Sequence, residues 1–450
     1  MIFASDSSVL VVFCKRPQLG IGKQRVAVER GQETALELSR LLLSTAMEDA
    51  YAWQDGDSAC RSVIAPASPE DVDWARGLLG AADIVPQQGN NLGERINHVD
   101  QQLRAAGARK ILYIGTDAPG LTVERLHEAS AYLDHADTVL APATDGGVVL
   151  MGSRVPWPDL HNLPWETDQL CKTLADACGG YSEVAYAPPG DDIDYWADLL
   201  RILPALGDDE REWRRMLADW TGRQLRISVV VPAYRDTTAL KTLLPHVGAM
   251  LSEHDEIIVV DGDNDGVCRD LCNDMSARYL TADSCRGQQL DTGARAATGD
   301  VFWFLHADSE PDADSVEHIR KAVANGAAGG YFRFRFLGPP AWYKSALEGL
   351  INWRSRVGVP YGDQGLFVVR HQYEAAGGFA HEPLFEEVGL VNALRNAAPF
   401  PQLDVEIGVS PRRWERDGWL RRTLHNRLLA IGHRLGIQPS SLARRYRQWT

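Results

Sequence analysis

The sequence predicts an α/β protein of two tandem domains, each built on a mostly parallel, Rossmann-like sheet. Three observations predict it. Short unbroken apolar runs bounded by turn residues alternate with amphipathic stretches, as in βαβ units. The alternation occurs twice along the chain. The length of 450 residues, with 45% hydrophobic and 24% charged residues, suits two ordinary soluble domains.

In the first half, VLVVF at 9–13 reads as a strand buried on both faces, followed by the basic loop CKRPQLGIGKQR. TALELSRLLLSTAMEDAYA near 34–52 has helical periodicity, and ILYIGTDAPGL at 111–121 is a strand that runs into Asp117. The second half repeats the plan. ISVVVPAYRD at 227–236 is a strand and loop, TTALKTLLPHVGAML near 237–251 a helix, and VFWFLHADSEP at 301–311 a strand that runs into Asp308. Between the halves, GDDEREWRRMLADWTGRQ is polar, lacks strand signals and reads as helical. The expected organisation is a domain over 1–205, a helical linker over 206–224 and a second domain over 225–450.

A formal charge of -15 argues against general nucleic-acid binding, which needs a basic surface. The charge is uneven: from Arg412 onward there are ten Arg, no Lys and two acids. Contact of this Arg-rich tail with a membrane surface is one reading; solvated Arg on packed helices is the one the sequence favours. The seven Cys show no metal-site spacing, since Cys268 and Cys272 are four apart. MIFASDSSVLVVF lacks a basic leader region, and no apolar stretch approaches the ~20 residues that span a bilayer. The expected setting is a reducing cytoplasm with free thiols.

In open α/β sheets, ligands sit beyond the carboxyl ends of the strands. Asp308 stands there, suited to a divalent metal on a nucleotide diphosphate, or else to capping a helix. Asp261 ends the run EIIVVD and suits a nucleotide contact, or an Asx turn. Arg286 opens a helical stretch and suits a phosphate. YGDQG at 361–365 puts Asp363 and Gln364 in a Gly-flanked turn. In the first half, Lys15, Lys23 and Arg25 surround two glycines, a phosphate cradle or a solvated basic loop. GKQ lacks the Ser or Thr of a Walker A motif.

ISVVVPAYRD, VVDGD, RGQQLDTGARAATGD, FLHADS, YGDQGLFVVR, GGFAHEPLFEEV and the RRW at 412–414 form an ordered set. From about 226 onward the chain resembles a branch of glycosyltransferase family 2. This branch is catalogued as transferase 2 of radical-SAM or selenodomain-associated pairs and sometimes labelled arsenosugar biosynthesis. The resemblance implies a GT-A fold, a nucleotide-sugar donor, a small acceptor, an inverting mechanism and Mg²⁺ or Mn²⁺. It implies Asp308 as metal ligand, with His306 close by, and Glu386 with Glu387 as the acidic pair that supplies the general base. Asp363 and Gln364 fall at the acceptor or donor sugar, and Arg412, Arg413 and Trp414 near the diphosphate. Glu387 stands where the family has Asp, and its carboxylate reaches ~1.5 Å further.

CKRPQLGIGKQRV, NNLGERI, GTDAPGL, APATDGGVVLMG, LPWETDQL and DDIDYWADL, over about 8–205, resemble the partner family, transferase 1 of the same pairs. That implies a nucleotidyltransferase-like GT-A domain. Asp117 would ligate a metal, shared with Asp145 and with Asp192 or Asp194, while Lys15, Lys23 and Arg25 neutralise a triphosphate. The whole reads as a bifunctional glycosyltransferase whose first half performs nucleotidyl transfer or forms a nucleotide sugar. An alternative keeps one half catalytic and makes the other a nucleotide-binding regulatory or scaffold module; a non-enzymatic binding protein that recruits a membrane or pathway partner through the Arg-rich tail is the remaining class.

Overall fold

The computed structural model describes residues 3–4, 7–80, 82–180, 183–263 and 266–448. It forms two compact units, Met1–Ala218 and Asp219–Thr450. The division falls within the helix Glu212–Gln224.

The first unit holds strands β1 (Ser8–Cys14), β2 (Cys60–Pro66), β3 (Asp83–Ile84), β4 (Lys110–Ile114), β5 (Thr138–Pro142), β6 (Val148–Ser153) and β7 (Val184–Tyr186). They lie in the order β3-β2-β1-β4-β6-β5-β7. Only β6 runs against its neighbours β4 and β5. Leu10 and Val12 of β1 pack into the core on one side of the sheet, and Val9 and Val11 into the core on the other. Two covered faces explain why the strand is apolar throughout rather than alternating. The helix Gln32–Gly56 begins after Gly31 and buries Leu38, Leu42 and Trp53 along one side.

The second unit holds β8 (Ile227–Ala233), β9 (Glu256–Asp261), β10 (Arg278–Thr281), β11 (Val301–Phe304), β12 (Ser309–Pro311), β13 (Gly329–Phe336), β14 (Phe367–Val369) and β15 (Gln402–Val409). Their order is β10-β9-β8-β11-β14-β13-β15-β12. With the short edge strand β12 set aside, this is the order of the first sheet, including one reversed strand, β14, between β11 and β13. The doubling seen in the sequence is thus a doubling of topology, and both units are Rossmann-like α/β sheets. The reversed strand makes the first sheet mixed, and in the second the edge strand β12 also runs antiparallel to its neighbour β15. No helix among the described residues is long and apolar enough to cross a membrane.

Several quoted motifs turn out to be packing devices. Asn91 caps the helix Leu92–Ala105 by accepting from Glu94 N, while the Glu94 carboxylate accepts from Asn90 N. A side chain at Gly93 would strike the Leu160 carbonyl at 2.1 Å, and the Trp165 indole donates to that same carbonyl at 3.0 Å. NNLGERI and LPWETDQL are therefore two halves of one contact. In the second unit a side chain at Gly287 would meet the Ala380 carbonyl at 1.9 Å, so RGQQLDTG docks on GGFAHEP.

Candidate functional site

In the second unit β8, β9 and β11 run parallel and deliver their carboxyl ends to one edge of the sheet. The Gln289 amide donates to the carbonyls of Ala233 and Val260, both at 2.8 Å, pinning two of those ends. Beyond β11, His306 to Asp308 form a turn closed by Ser309 N donating to the His306 carbonyl. Asp308 caps no helix; the next one, Ser315–Ala324, has Asp314 at its cap. Its carboxylate is about one-third exposed and lies 3.2 Å from Arg412 Nη2.

Other chain segments gather around this turn. His306 Nε2 is buried without a hydrogen-bond partner, and a Cβ on Gly362 would be only 3.0 Å from it. The YGDQ turn thus abuts HAD. Asp363 Oδ1 is likewise buried without a hydrogen-bond partner. Burial pushes the Asp363 carboxyl up; Arg354 and Arg286 pull it down, and the Asp308 charge adds to the rise. Glu386 and Glu387 open the helix Glu387–Ala397 and are nearly buried, with Arg286 Nη1 at 3.7 Å from Glu386. Burial, then the Glu386 charge, holds Glu387 well above the usual carboxylate range. Burial lowers the His306 imidazole to about 3, helped by Arg286. Phe385, just before the pair, sits at φ 65°, a left-handed backbone that costs a bulky residue roughly 1–3 kcal/mol.

The structure thus gathers Asp308, Asp363, Glu386, Glu387, Arg286 and Arg412. It adds two groups that the sequence did not single out. Asp236, past the end of β8, is raised by burial and by the Asp308 charge and lowered by Arg412, Arg413 and Arg286. Arg354 faces Asp363 and stacks over the Tyr361 ring at 4.2 Å. Asp236 was within a quoted motif, so its position after a buried strand was the available signal; Arg354 carried none.

Other expected residues hold internal contacts. Asp261 is fully buried, accepting from Asp263 N at 2.9 Å and the Tyr279 hydroxyl at 3.0 Å. The following residues Asn264 and Asp265 of DGDNDG lie outside the described residues. Gln364 is also fully buried, between the Ser355 hydroxyl at 2.5 Å and the Phe332 carbonyl at 3.3 Å. Both side chains are thus taken up by internal hydrogen bonds. Trp414 packs edge-on against Phe336 at 4.9 Å, in a small apolar cluster. Arg413 donates to the Tyr446 hydroxyl at 2.5 Å while still acting on Asp236 and His306.

The first unit has its own cluster. Asp145, Asp192 and Asp194 bring one carboxylate oxygen each within 4.8 Å of one another. Asp145 sits in a turn that needs its glycine: Gly146 has φ 94°, and a side chain there would strike the Asp168 carbonyl at 2.2 Å. Burial, then the charges of Asp145 and Asp117, raise Asp192 to about 6. Lys23 lies 3.5 Å from Asp117 and donates to the Ile193 carbonyl at 2.6 Å; Arg25 pairs with Asp194. Lys15 is exposed. Asp117 is 46% exposed, so in both units the acid after the central strand stands at the rim, held by a cationic side chain.

Comparison with known proteins assigns the halves separately. Residues 53–167 match a family model described as an uncharacterized protein conserved in bacteria (DUF2064), and residues 228–372 match glycosyl transferase family 2. A dolichol-phosphate mannosyltransferase from Pyrococcus furiosus is 24% identical over 110 residues, which are 23% of this chain and 31% of that one. The chain thus spans about a third of that relative's length. Among solved structures, a candidate nucleotide-diphospho-sugar transferase from Desulfovibrio desulfuricans G20 is 24% identical, covers 48% of this chain and 96% of its own, and has a TM-score of 0.43. A mannosyltransferase from Pyrobaculum calidifontis, in complex with GDP-Man and Mn²⁺, is 18% identical, covers 54% of this chain and 78% of its own, with a TM-score of 0.36. The first half of the chain is thus similar to the DUF2064 family and the second half to glycosyl transferase family 2.

Proposed function

We propose that the C-terminal domain transfers a sugar from a nucleotide-diphosphate donor to a small acceptor with inversion. The observation that carries this reading is the meeting of a rim carboxylate, Asp308, with the buried acids Asp363, Glu386 and Glu387 and the cations Arg286 and Arg412. The cations suit a diphosphate through charge-assisted bonds. Glu387 is the general base: burial and the Glu386 charge raise its affinity for a proton, which strengthens it as the group that takes the acceptor hydroxyl's proton. Glu386, paired with Arg286, orients the helix start that carries it.

A divalent ion fits here. His306 Nε2 and Asp363 Oδ1 are buried without hydrogen-bond partners beside Asp308, and the carboxylate oxygens suit Mn²⁺ or Mg²⁺. Asp308 would hold the ion, with His306 and Asp236 next to it. When bound, such an ion neutralises charge on the departing diphosphate.

For the N-terminal domain we propose nucleotidyl transfer or nucleotide-sugar formation, supported by the three convergent carboxylates and by Lys23 and Arg25 at their edge. Asp145, Asp192 and Asp194 would hold Mg²⁺ or Mn²⁺ there.

The test uses the full chain with Mn²⁺ or Mg²⁺ and a panel of nucleotide sugars, measuring nucleoside diphosphate release. Release with a donor, lost in Asp308→Asn, supports the first assignment; no release with any donor removes it. Nucleoside triphosphate with sugar phosphates, read as pyrophosphate release lost in Asp192→Asn, does the same for the second.

A further inference from the structure

The C-terminal unit exposes an apolar stripe that its own core does not use. In the helix Trp419–Arg434 and its end, Leu420, Leu424, Leu428, Ile431 and Leu435 are between 52% and 87% exposed. At about 100° per residue they share an arc of about 80°. The opposite side of the helix is the one that packs, through the buried residues Arg422, Leu429 and Gly432. The helix Trp342–Val357 repeats the spacing with Trp342, Leu350, Trp353 and Val357, all exposed. The two helices are neighbours that start and end together. Tyr343 meets Trp419 ring to ring at 5.0 Å, and a side chain on Gly358 would lie 3.5 Å from Arg434. Two adjacent stripes of this size exceed the scattered apolar residues of an ordinary surface.

Charge indicates what covers them. On the same wheel Arg421 falls on one flank of the leucine stripe, and Arg427 and Arg434 on the other, each about 20–40° from its edge. From Arg412 onward ten Arg face two acids, in a chain of net charge -15. A second copy docking face to face would set these cations against each other. A surface with an apolar interior and an anionic rim complements them, and a helix with cations flanking an apolar face suits lying in such an interface.

We propose that this face docks on an anionic lipid surface, the helices Trp342–Val357 and Trp419–Arg434 lying along it without crossing. The inference is independent of the sugar-transfer reading, because none of the stripe residues belongs to the carboxylate site.

The experiment is flotation of the full chain with vesicles of phosphatidylcholine, alone or mixed with phosphatidylglycerol. The protein is expected to float with the mixed vesicles and to stay down with the neutral ones. Leu424→Glu/Leu428→Glu, at exposed positions, should reduce flotation about tenfold or more, with circular dichroism and melting temperature unchanged. Arg421→Gln/Arg427→Gln should weaken the anionic preference and its sensitivity to salt. Absence of flotation, equal flotation with neutral vesicles, or a leucine variant that floats like wild type overturns the proposal. So does a dimer in light scattering that the leucine variant splits while neither protein binds vesicles.

Discussion

Arg412 holds Asp308 at 3.2 Å across 104 residues of sequence, joining the start of the Arg-rich tail to the turn beyond the central strand. Arg412 is 64% exposed and Asp308 32%, so this pair adds about 1 kcal/mol at most to stability. Its value lies in placement: it keeps a carboxylate at the rim rather than folded inward. Asp308→Asn is therefore expected to lower sugar transfer by about a hundredfold or more while leaving the melting temperature within about 2 °C of wild type. Donor turnover beside a thermal scan separates the two; a large drop in melting temperature would make Asp308 a structural residue.

Glu387 predicts opposite pH trends for stability and activity. Burial and then Glu386 raise its carboxyl above the ordinary value of 4.5, so the folded chain keeps a proton that the unfolded chain releases earlier. Its stabilising contribution is full below the unfolded value and is lost as pH rises through the folded one. Glu387→Gln should thus gain stability over wild type as pH climbs across that window, then level off. Activity should go the other way: wild-type turnover rises along the same limb as the base ionises, and the Gln variant loses the limb. Urea unfolding and pH–rate profiles of both proteins check it.

Legibility differed between backbone and site. VLVVF and VFWFL announced buried strands because both faces of each sheet are covered, and Asp117 and Asp308 stand out because polarity returns abruptly beyond them. The reversed strands β6 and β14 were not legible, since VVLMGS and FVV carry no mark of direction. Within the site, local motifs located Asp308, Asp363, Glu386 and Glu387, but not the contacts among them. Asp261 and Gln364 show the converse: a polar residue at a strand end or in a Gly-flanked turn reads the same whether it meets a ligand or braces the interior, and here both side chains hold internal hydrogen bonds. Gly93 and Gly287 belong to quoted motifs, yet each marks a close backbone approach. Strain was equally hidden; Lys23, Arg235 and Phe385 take positive φ beside candidate site residues, and no residue type announces that.

Asp192 makes the first unit's cation response pH-dependent. Burial, Asp145 and Asp117 raise it to about 6 from 3.8, so without a cation it contributes stability below its unfolded value and loses it as pH rises through about 6. A divalent ion must displace that proton to bind. Mn²⁺ is expected to raise the melting temperature at pH 8 more than at pH 5, and Asp192→Asn to flatten the difference. A shift equal at both pH values in wild type would remove Asp192 from the cation site.

The first unit also holds a buried ion pair with a calculable consequence. Arg214, in the helix Glu212–Gln224, is 1% exposed and donates to the Asp49 carboxylate at 2.6 Å, to the Pro119 carbonyl at 3.0 Å and to that of Leu121 at 3.3 Å. Asp49 is 2% exposed and also accepts from Val123 N at 3.1 Å. Burial pushes the Asp49 carboxyl up even with Arg214 and then Arg211 beside it. Removing one partner strands the other, which costs about 3–5 kcal/mol. Arg214→Met should fall near the lower end, because Arg211 remains 3.1 Å from Asp49. Asp49→Leu with Arg214→Met removes both charges and should recover much of the loss, since a buried pair gains little over well-packed apolar residues. Urea unfolding gives both numbers. A cost below about 1 kcal/mol for Arg214→Met alone would mean that Arg211 is sufficient to hold Asp49, and a double variant as unstable as the single would place the cost on the carbonyls of Pro119 and Leu121 instead.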